Sequence, residues 1–198
     1  MNLPRFYPVF DSADWIARAL PLGVRLVQLR MKDEPDDVLR AQIARALALC
    51  RDHGAALVVN DHWQLAIDLG AEWLHLGQED LDNADLAAIR RAGLKLGIST
   101  HDHAELDRAL ALTPDYVALG PVYPTILKKM KWTEQGLDRL TEWKKLIGDT
   151  PLCAIGGMSV ERAAGAFSAG ADTVAAVTDI TLHADPEARI AAWLEATA

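Results

Sequence analysis

Arg51-Asp52-His53-Gly54-Ala55-Ala56-Leu57-Val58-Val59-Asn60 contains the unit from which the chain is built: the end of a helical stretch, a glycine, and a short apolar run closing on a polar residue. Glycine accepts the left-handed backbone that ends a helix. A run as continuous as Ala56–Asn60 suits a strand buried on both faces of a parallel sheet. Upstream, Val38–Asp52 carries Leu39, Ile43, Ala46, Leu47 and Cys50 on one helical face, a stripe that covers a sheet. The same break returns as Gly70-Ala71-Glu72 and Gly170-Ala171-Asp172, and Gly23, Gly93 and Gly148 mark three more. Thr113-Pro114-Asp115 is the exception. Eight runs of the strand type result: Phe6–Phe10, Arg25–Arg30, Ala56–Asn60, Trp73–Leu76, Lys95–Ser99, Tyr116–Leu119, Leu152–Ile155 and Thr173–Val177. Helical stretches such as Leu81–Ala92, with Leu86 and Ile89, lie between them. Strict alternation of strand and helix demands a doubly wound sheet or a closed barrel, and eight units predict one α/β domain over residues 1–198, a single (β/α)8 barrel.

Composition narrows the function. Over 198 residues, 20 Lys+Arg against 28 Asp+Glu leave a net charge of −8, and 51% of residues are hydrophobic. Such a chain can bury a sizeable core, and its acidic balance argues against a nucleic-acid partner. Small anionic substrates remain open, given a local basic pocket. Cys50 and Cys153 lie far apart with no Cys-x-x-Cys spacing, so neither a disulfide framework nor a zinc site is expected. Met1-Asn2-Leu3-Pro4-Arg5 does not open a secretory signal, and no apolar run reaches membrane-spanning length. A cytoplasmic protein without a membrane partner is the expectation; oligomeric state cannot be read from one chain.

In such a barrel the chemistry collects where strands end and the following loops begin. The second run finishes Gln28-Leu29-Arg30-Met31-Lys32, and alternation points Gln28, Arg30 and Lys32 to one side, two cations that want an anion. The third ends Asn60-Asp61 and the fourth continues Gly77-Gln78-Glu79-Asp80. Two carboxylates at neighbouring mouths repel unless a cation lies between, and magnesium is held by one or two carboxylates plus substrate phosphates. Asp61 and Asp80 are therefore candidate metal ligands, with helix capping as the competing reading. Gly156-Gly157 before Ser159, and Val177-Thr178 after the eighth run, occupy the loop pair that binds phosphate in barrels. His101-Asp102-His103 reads as a helix start rather than a metal pair, with Ser99 before it better placed to meet a ligand. His75, inside a strand, reads as a structural hydrogen-bonding residue. The long irregular stretch Gly120–Trp132, with three lysines, reads as an active-site lid in which Trp132 could cover a bound ring.

The series Gln28-Leu29-Arg30-Met31-Lys32, Asn60-Asp61, His75-Leu76-Gly77-Gln78-Glu79-Asp80-Leu81, Gly97-Ile98-Ser99-Thr100-His101, Gly120-Pro121-Val122-Tyr123-Pro124-Thr125 and Ile155-Gly156-Gly157 resembles the thiamine phosphate synthase family in order and placement, over nearly the whole chain. The resemblance implies a transferase that joins hydroxymethylpyrimidine pyrophosphate to a thiazole phosphate, with magnesium as cofactor and small phosphorylated molecules as substrates. It implies that Gln28 contacts the pyrimidine, that Arg30, Lys32, Asn60 and Lys128 grip the pyrophosphate, and that Asp61 and Asp80 hold magnesium. Ser99 would hydrogen-bond the aminopyrimidine, and Thr125, Leu127, Gly157, Val177 and Thr178 would form the thiazole phosphate pocket. Arg30, Lys32, Lys128 and Ser99 would be the catalytic group. The implied chemistry is dissociative and needs no protein nucleophile, in keeping with a sequence lacking an evident Ser-His-Asp or Cys-His arrangement. Two departures stand out. Leu127 replaces a hydroxyl residue common to the family's lid, and Asp179 follows Thr178 where a small neutral residue is usual; Asp179 is expected to point away from the phosphate, as a helix cap. The family's thiazole tautomerase branch, sharing the barrel and phosphate loops, is the nearest alternative, but would not need the full pyrophosphate grip, and Pro121 stands where that branch's catalytic His is expected. A non-catalytic barrel that binds a thiamine precursor and regulates a partner comes last.

Overall fold

A computed structural model describes residues 3–125 and 132–198. The continuous runs form parallel strands β1 (Phe6–Phe10), β2 (Leu26–Leu29), β3 (Ala56–Asn60), β4 (Trp73–Leu76), β5 (Lys95–Thr100), β6 (Tyr116–Leu119), β7 (Leu152–Ala154) and β8 (Thr173–Ala176). Each pairs with the next, and β8 returns to β1 with Phe6 opposite Val174 and Tyr7 opposite Ala175, closing the barrel that the alternation predicts. Differences from the expected bounds are confined to strand ends, where pairing frays. Arg30 N still donates to Phe10 O at 2.7 Å and Ile155 N to Leu119 O at 3.1 Å, just past β2 and β7.

Period-two alternation divides each strand between two cores. Phe10, Val27, Leu29, Val59, Leu74, Ile98 and Val117 face outward and are covered by helix residues such as Leu39, Ile43, Trp143 and Trp193. Tyr7, Val9, Leu26, Val58, Trp73, Tyr116, Ala118, Cys153 and Ala175 fill the inside of the barrel. Both cysteines are free and buried, and burial pushes each thiol up to about 12. They are packing residues rather than nucleophiles.

The helix Val38–Asp52 begins two residues earlier than expected, as Asp36–Asp52, with Asp36 and Asp37 complementing its N-terminal dipole. Leu81–Ala92 is corrected: a single turn, Gln78–Leu81, is followed by a separate helix, Leu86–Arg91. Asp82-Asn83-Ala84-Asp85 interrupts it because these side chains favour caps over helix interiors, and Asp85 Oδ1 accepts from Ala88 N at 2.9 Å. At the one break without glycine, Thr113 itself takes a positive φ of 49°. Among the described residues, no helix is long and apolar enough to cross a membrane.

Candidate active site

Polar side chains at the inward strand positions join into one chain across the barrel. Gln28 Nε2 donates to Tyr7 Oη at 2.8 Å, and Tyr7 Oη lies 3.0 Å from Tyr116 Oη. Tyr116 Oη lies 2.8 Å from His75 Nδ1, and His75 Nε2 lies 2.8 Å from Ser99 Oγ. Gln28, Tyr7, Tyr116 and His75 are buried, where unmet polar groups are costly. Gln78 Nε2 donates to the Ser99 carbonyl at 2.8 Å and holds that strand end in place. Burial raises the phenol pKa of both tyrosines. Burial, opposed by Asp61 and reinforced by Arg30, pushes His75 down to about 4.

His75 is a hydrogen-bonding strand residue, as its position suggests, and Ser99 is one of its two partners. The pair still does not make a nucleophile. Tyr116 occupies the place of a triad carboxylate, and an imidazole held neutral this strongly is a poor base. Sequence reasoning missed Tyr7 and Tyr116. The available signal was parity, since both share the inward register of Gln28, His75 and Ser99.

The His75 shift has a consequence for stability. Its folded pKa of about 4 lies below the unfolded value of 6.5, so the unfolded chain takes the proton first as pH falls. The stabilisation is complete above pH 6.5 and is lost between 6.5 and about 4. Unfolding free energies of wild type and His75→Gln, from denaturant titrations at a series of pH values, should diverge across that window by roughly 2–3 kcal/mol. Parallel curves would show that His75 does not titrate this way.

Above this chain lies the charged mouth. Arg30 is exposed, and Lys32 Nζ pairs with Asp61 Oδ2 at 3.0 Å. The carboxyls of Asp61 and Asp80 lie close enough to interact; burial and then the Asp61 charge raise Asp80, with Lys32 and the Gly77 backbone pulling it down. Asp61 does not cap the helix Trp63–Asp68, which has no side-chain cap. Its backbone holds a positive φ of 64°, uncommon for a residue with a side chain. Asp80 lies inside its own turn, Gln78–Leu81, near the Gly77 backbone and Asp61, and the helix that follows is capped by Asp85 instead. Beside them Asn60 is buried with its Nδ2 unpartnered, a donor without an acceptor. Among the described residues no three His, Cys, Asp or Glu side chains form a metal cage. Two carboxylates in contact fit magnesium completed by substrate oxygens and water, and do not fit a metal held by protein alone.

On the far side of the barrel the β7 loop packs against the chain leaving β6. Val122 N donates to Ile155 O at 2.9 Å and Tyr123 N to Gly156 O at 3.0 Å. Gly156 and Gly157 both have positive φ, and Cβ atoms there would lie 2.6 Å from Pro121 Cα and 2.5 Å from Pro124 O. Close packing thus requires these glycines whatever they bind. Val177 and Thr178 follow β8, the paired neighbour of β7, so Gly157 and Thr178 stand at adjacent mouths. Thr125 is the last described residue before the segment containing Leu127 and Lys128, which lies outside the described residues. Trp132 stacks on His101 with ring centroids 5.8 Å apart. His101 pairs with Glu105, Asp102 accepts from Glu105 N as a cap, and His103 pairs with Glu142, which accounts for that motif without a metal.

Asp179 turns away from the mouth as expected, with a different partner. It does not cap: Arg189 Nε and Nη2 grip its carboxylate at 2.8 Å each, and Trp193 Nε1 donates to it at 2.8 Å. Arg189 also holds Glu161, tying three helices together behind the β8 loop. A carboxylate satisfied this way adds little repulsion to an anion at Thr178.

The comparisons with known proteins agree with this geometry. A family described as thiamine monophosphate synthase matches residues 6–180. A thiamine-phosphate synthase of Rhizobium etli is 61% identical over 198 residues, covering 100% of this chain and 97% of its own. One from Neisseria meningitidis serogroup A is 48% identical over 189 residues, covering 96% and 92%. The solved thiamine phosphate pyrophosphorylase from Pyrococcus furiosus superposes with a TM-score of 0.87 at 23% identity, covering 98% of this chain and 95% of that one, a likeness of fold. With a match of this span and relatives of this identity, the chain belongs to the thiamine monophosphate synthase family.

Proposed function

We propose that the protein is a thiamine-phosphate synthase, coupling hydroxymethylpyrimidine pyrophosphate to thiazole phosphate with release of pyrophosphate. The observation that carries this reading is the mouth of β2, β3 and β4: Arg30 and Lys32, the Asp61–Asp80 contact, and the unpartnered donor of buried Asn60. A pyrophosphate supplies an anion beside Arg30 and Lys32 and an acceptor for Asn60. Asp61 and Asp80 would hold magnesium, which when bound offsets negative charge on the departing pyrophosphate. Arg30, Lys32, Asn60 and Lys128 bind and orient that group. Gln28 and Ser99 hold the aminopyrimidine ring, whose electron density supports the methylene cation left behind. Thr125, Leu127, Gly157, Val177 and Thr178 would seat the thiazole phosphate so that its ring nitrogen captures the cation; the lid expected over Gly120–Trp132 lies partly outside the described residues. Positioning and charge stabilisation provide the rate, and no side chain is consumed as a nucleophile.

The test is thiamine phosphate formation by the purified protein from both substrates, with magnesium and with chelator. Product that requires magnesium is the expected result. Thiazole phosphate binding without product would favour the thiazole tautomerase or the regulatory reading instead.

A further inference from the structure

The chain from Gln28 to Ser99 has a direction. Its four links join an amide, two phenols, one imidazole and one hydroxyl. Each phenol carries one hydrogen, and so does a neutral imidazole. Gln28 Nε2 donates to Tyr7, so Tyr7 spends its own hydrogen on Tyr116, the only other partner of its hydroxyl among the described residues. Tyr116 then gives its hydrogen to His75 Nδ1, which leaves the imidazole proton on Nε2, directed at Ser99 Oγ. Ser99 accepts there and keeps its hydrogen for the mouth, while the other end presents Gln28 Oε1 as an acceptor. The site is cleared for this arrangement: a Cβ on Gly97 would lie 2.0 Å from Tyr116 Cζ, so the phenol reaches His75 only across a residue without a side chain.

We infer that Tyr7, Tyr116 and His75 are positioning residues, forming a one-way hydrogen-bond chain that makes Gln28 an acceptor and Ser99 a donor at the barrel mouth together. That pair complements a ring with an amino group beside a ring nitrogen, the pattern of the aminopyrimidine. The ligand assignment rests on the proposed function; the direction of the chain does not. Reversing any one link obliges the rest to reverse or sets two hydrogens or two lone pairs facing each other, so a ring with the opposite pattern of donors and acceptors is rejected at both ends at once.

The test has two arms. In protein labelled with ¹⁵N-histidine, with the His75 resonances identified by their loss in His75→Gln, nitrogen NMR should show Nε2 protonated and Nδ1 accepting a hydrogen bond. Tyr7→Phe does not touch His75, yet it removes the hydrogen donated to Tyr116 and should shift the Nδ1 resonance. A wild-type proton on Nδ1, or His75 resonances unmoved in Tyr7→Phe, overturns the inference. In the kinetic arm, Tyr7→Phe and Tyr116→Phe, each with wild-type circular dichroism, should raise KM for the pyrimidine substrate about 10-fold and leave KM for the thiazole phosphate unchanged. The double variant should be no worse than the worse single one, because either break interrupts the same chain. Losses that multiply in the double variant overturn it. If the wild-type protein makes no thiamine phosphate, the proposed function fails and the NMR arm alone decides the chain.

Discussion

Asp80→Ala is expected to lower thiamine phosphate formation by about 1,000-fold or more at saturating substrates and magnesium, while the protein stays folded. The two halves of that expectation have separate causes. Asp80 is in contact with Asp61, and that neighbouring charge together with burial raises its pKa, so the apo fold bears the cost of two adjacent carboxyls. Removing one relieves the repulsion and loses only a favourable interaction with the Gly77 backbone, changing stability by less than about 1 kcal/mol. Lys32 keeps its 3.0 Å partner in Asp61, so the mouth does not collapse. What disappears is half of the proposed oxygen ligands for magnesium, and with them the stabilisation of the leaving pyrophosphate. Steady-state rates over a magnesium series, beside thermal melting with and without magnesium pyrophosphate, separate the effects. A near-normal rate, or melting that responds to magnesium pyrophosphate as in wild type, would remove Asp80 from the site.

The same pair shows what a sequence exposes and what it hides. Asn60-Asp61 and Gly77-Gln78-Glu79-Asp80 were legible because strand ends are marked by the change from continuous apolar residues to polar ones, and barrel chemistry occurs there. Whether the carboxylates meet or cap their own helices was not legible, because capping is local whereas their contact depends on the pairing of β3 with β4. Tyr7 and Tyr116 were hidden for a related reason. An aromatic residue in a buried strand looks like core, and both are core, yet their hydroxyls bond across 109 residues of chain. Asp179 could be predicted to turn from the phosphate loop on electrostatic grounds, but its Arg189 and Trp193 partners lie on a helix whose docking angle no periodicity reveals. The glycine breaks were the most legible feature, since each answers to its own backbone. Where the pattern used Thr113 instead, the same left-handed turn persists at a residue that pays for it in strain.

Gly97→Ala tests the barrel interior directly. A methyl group there would sit 2.0 Å from Tyr116 Cζ, 2.2 Å from Cε1 and 2.5 Å from the hydroxyl, distances no packed side chain tolerates. The ring cannot rotate clear, because its hydroxyl is held by Tyr7 and His75 and one face stacks near His75 with centroids 5.5 Å apart. Either β5 moves outward or the ring leaves the chain, exposing buried phenol and imidazole groups to loss of their partners. Overpacking and two broken buried hydrogen bonds together should cost about 4 kcal/mol. Tyr116→Leu removes the clashing ring atoms at the cost of the same bonds, so the double variant Gly97→Ala/Tyr116→Leu should recover much of the packing loss. Urea unfolding of wild type, both single variants and the double variant closes the cycle. A coupling energy near zero would mean that the barrel accommodates the methyl elsewhere and that Gly97 is not there to admit Tyr116. A large favourable coupling would tie a glycine in the middle of a strand to the hydroxyl chain that crosses it.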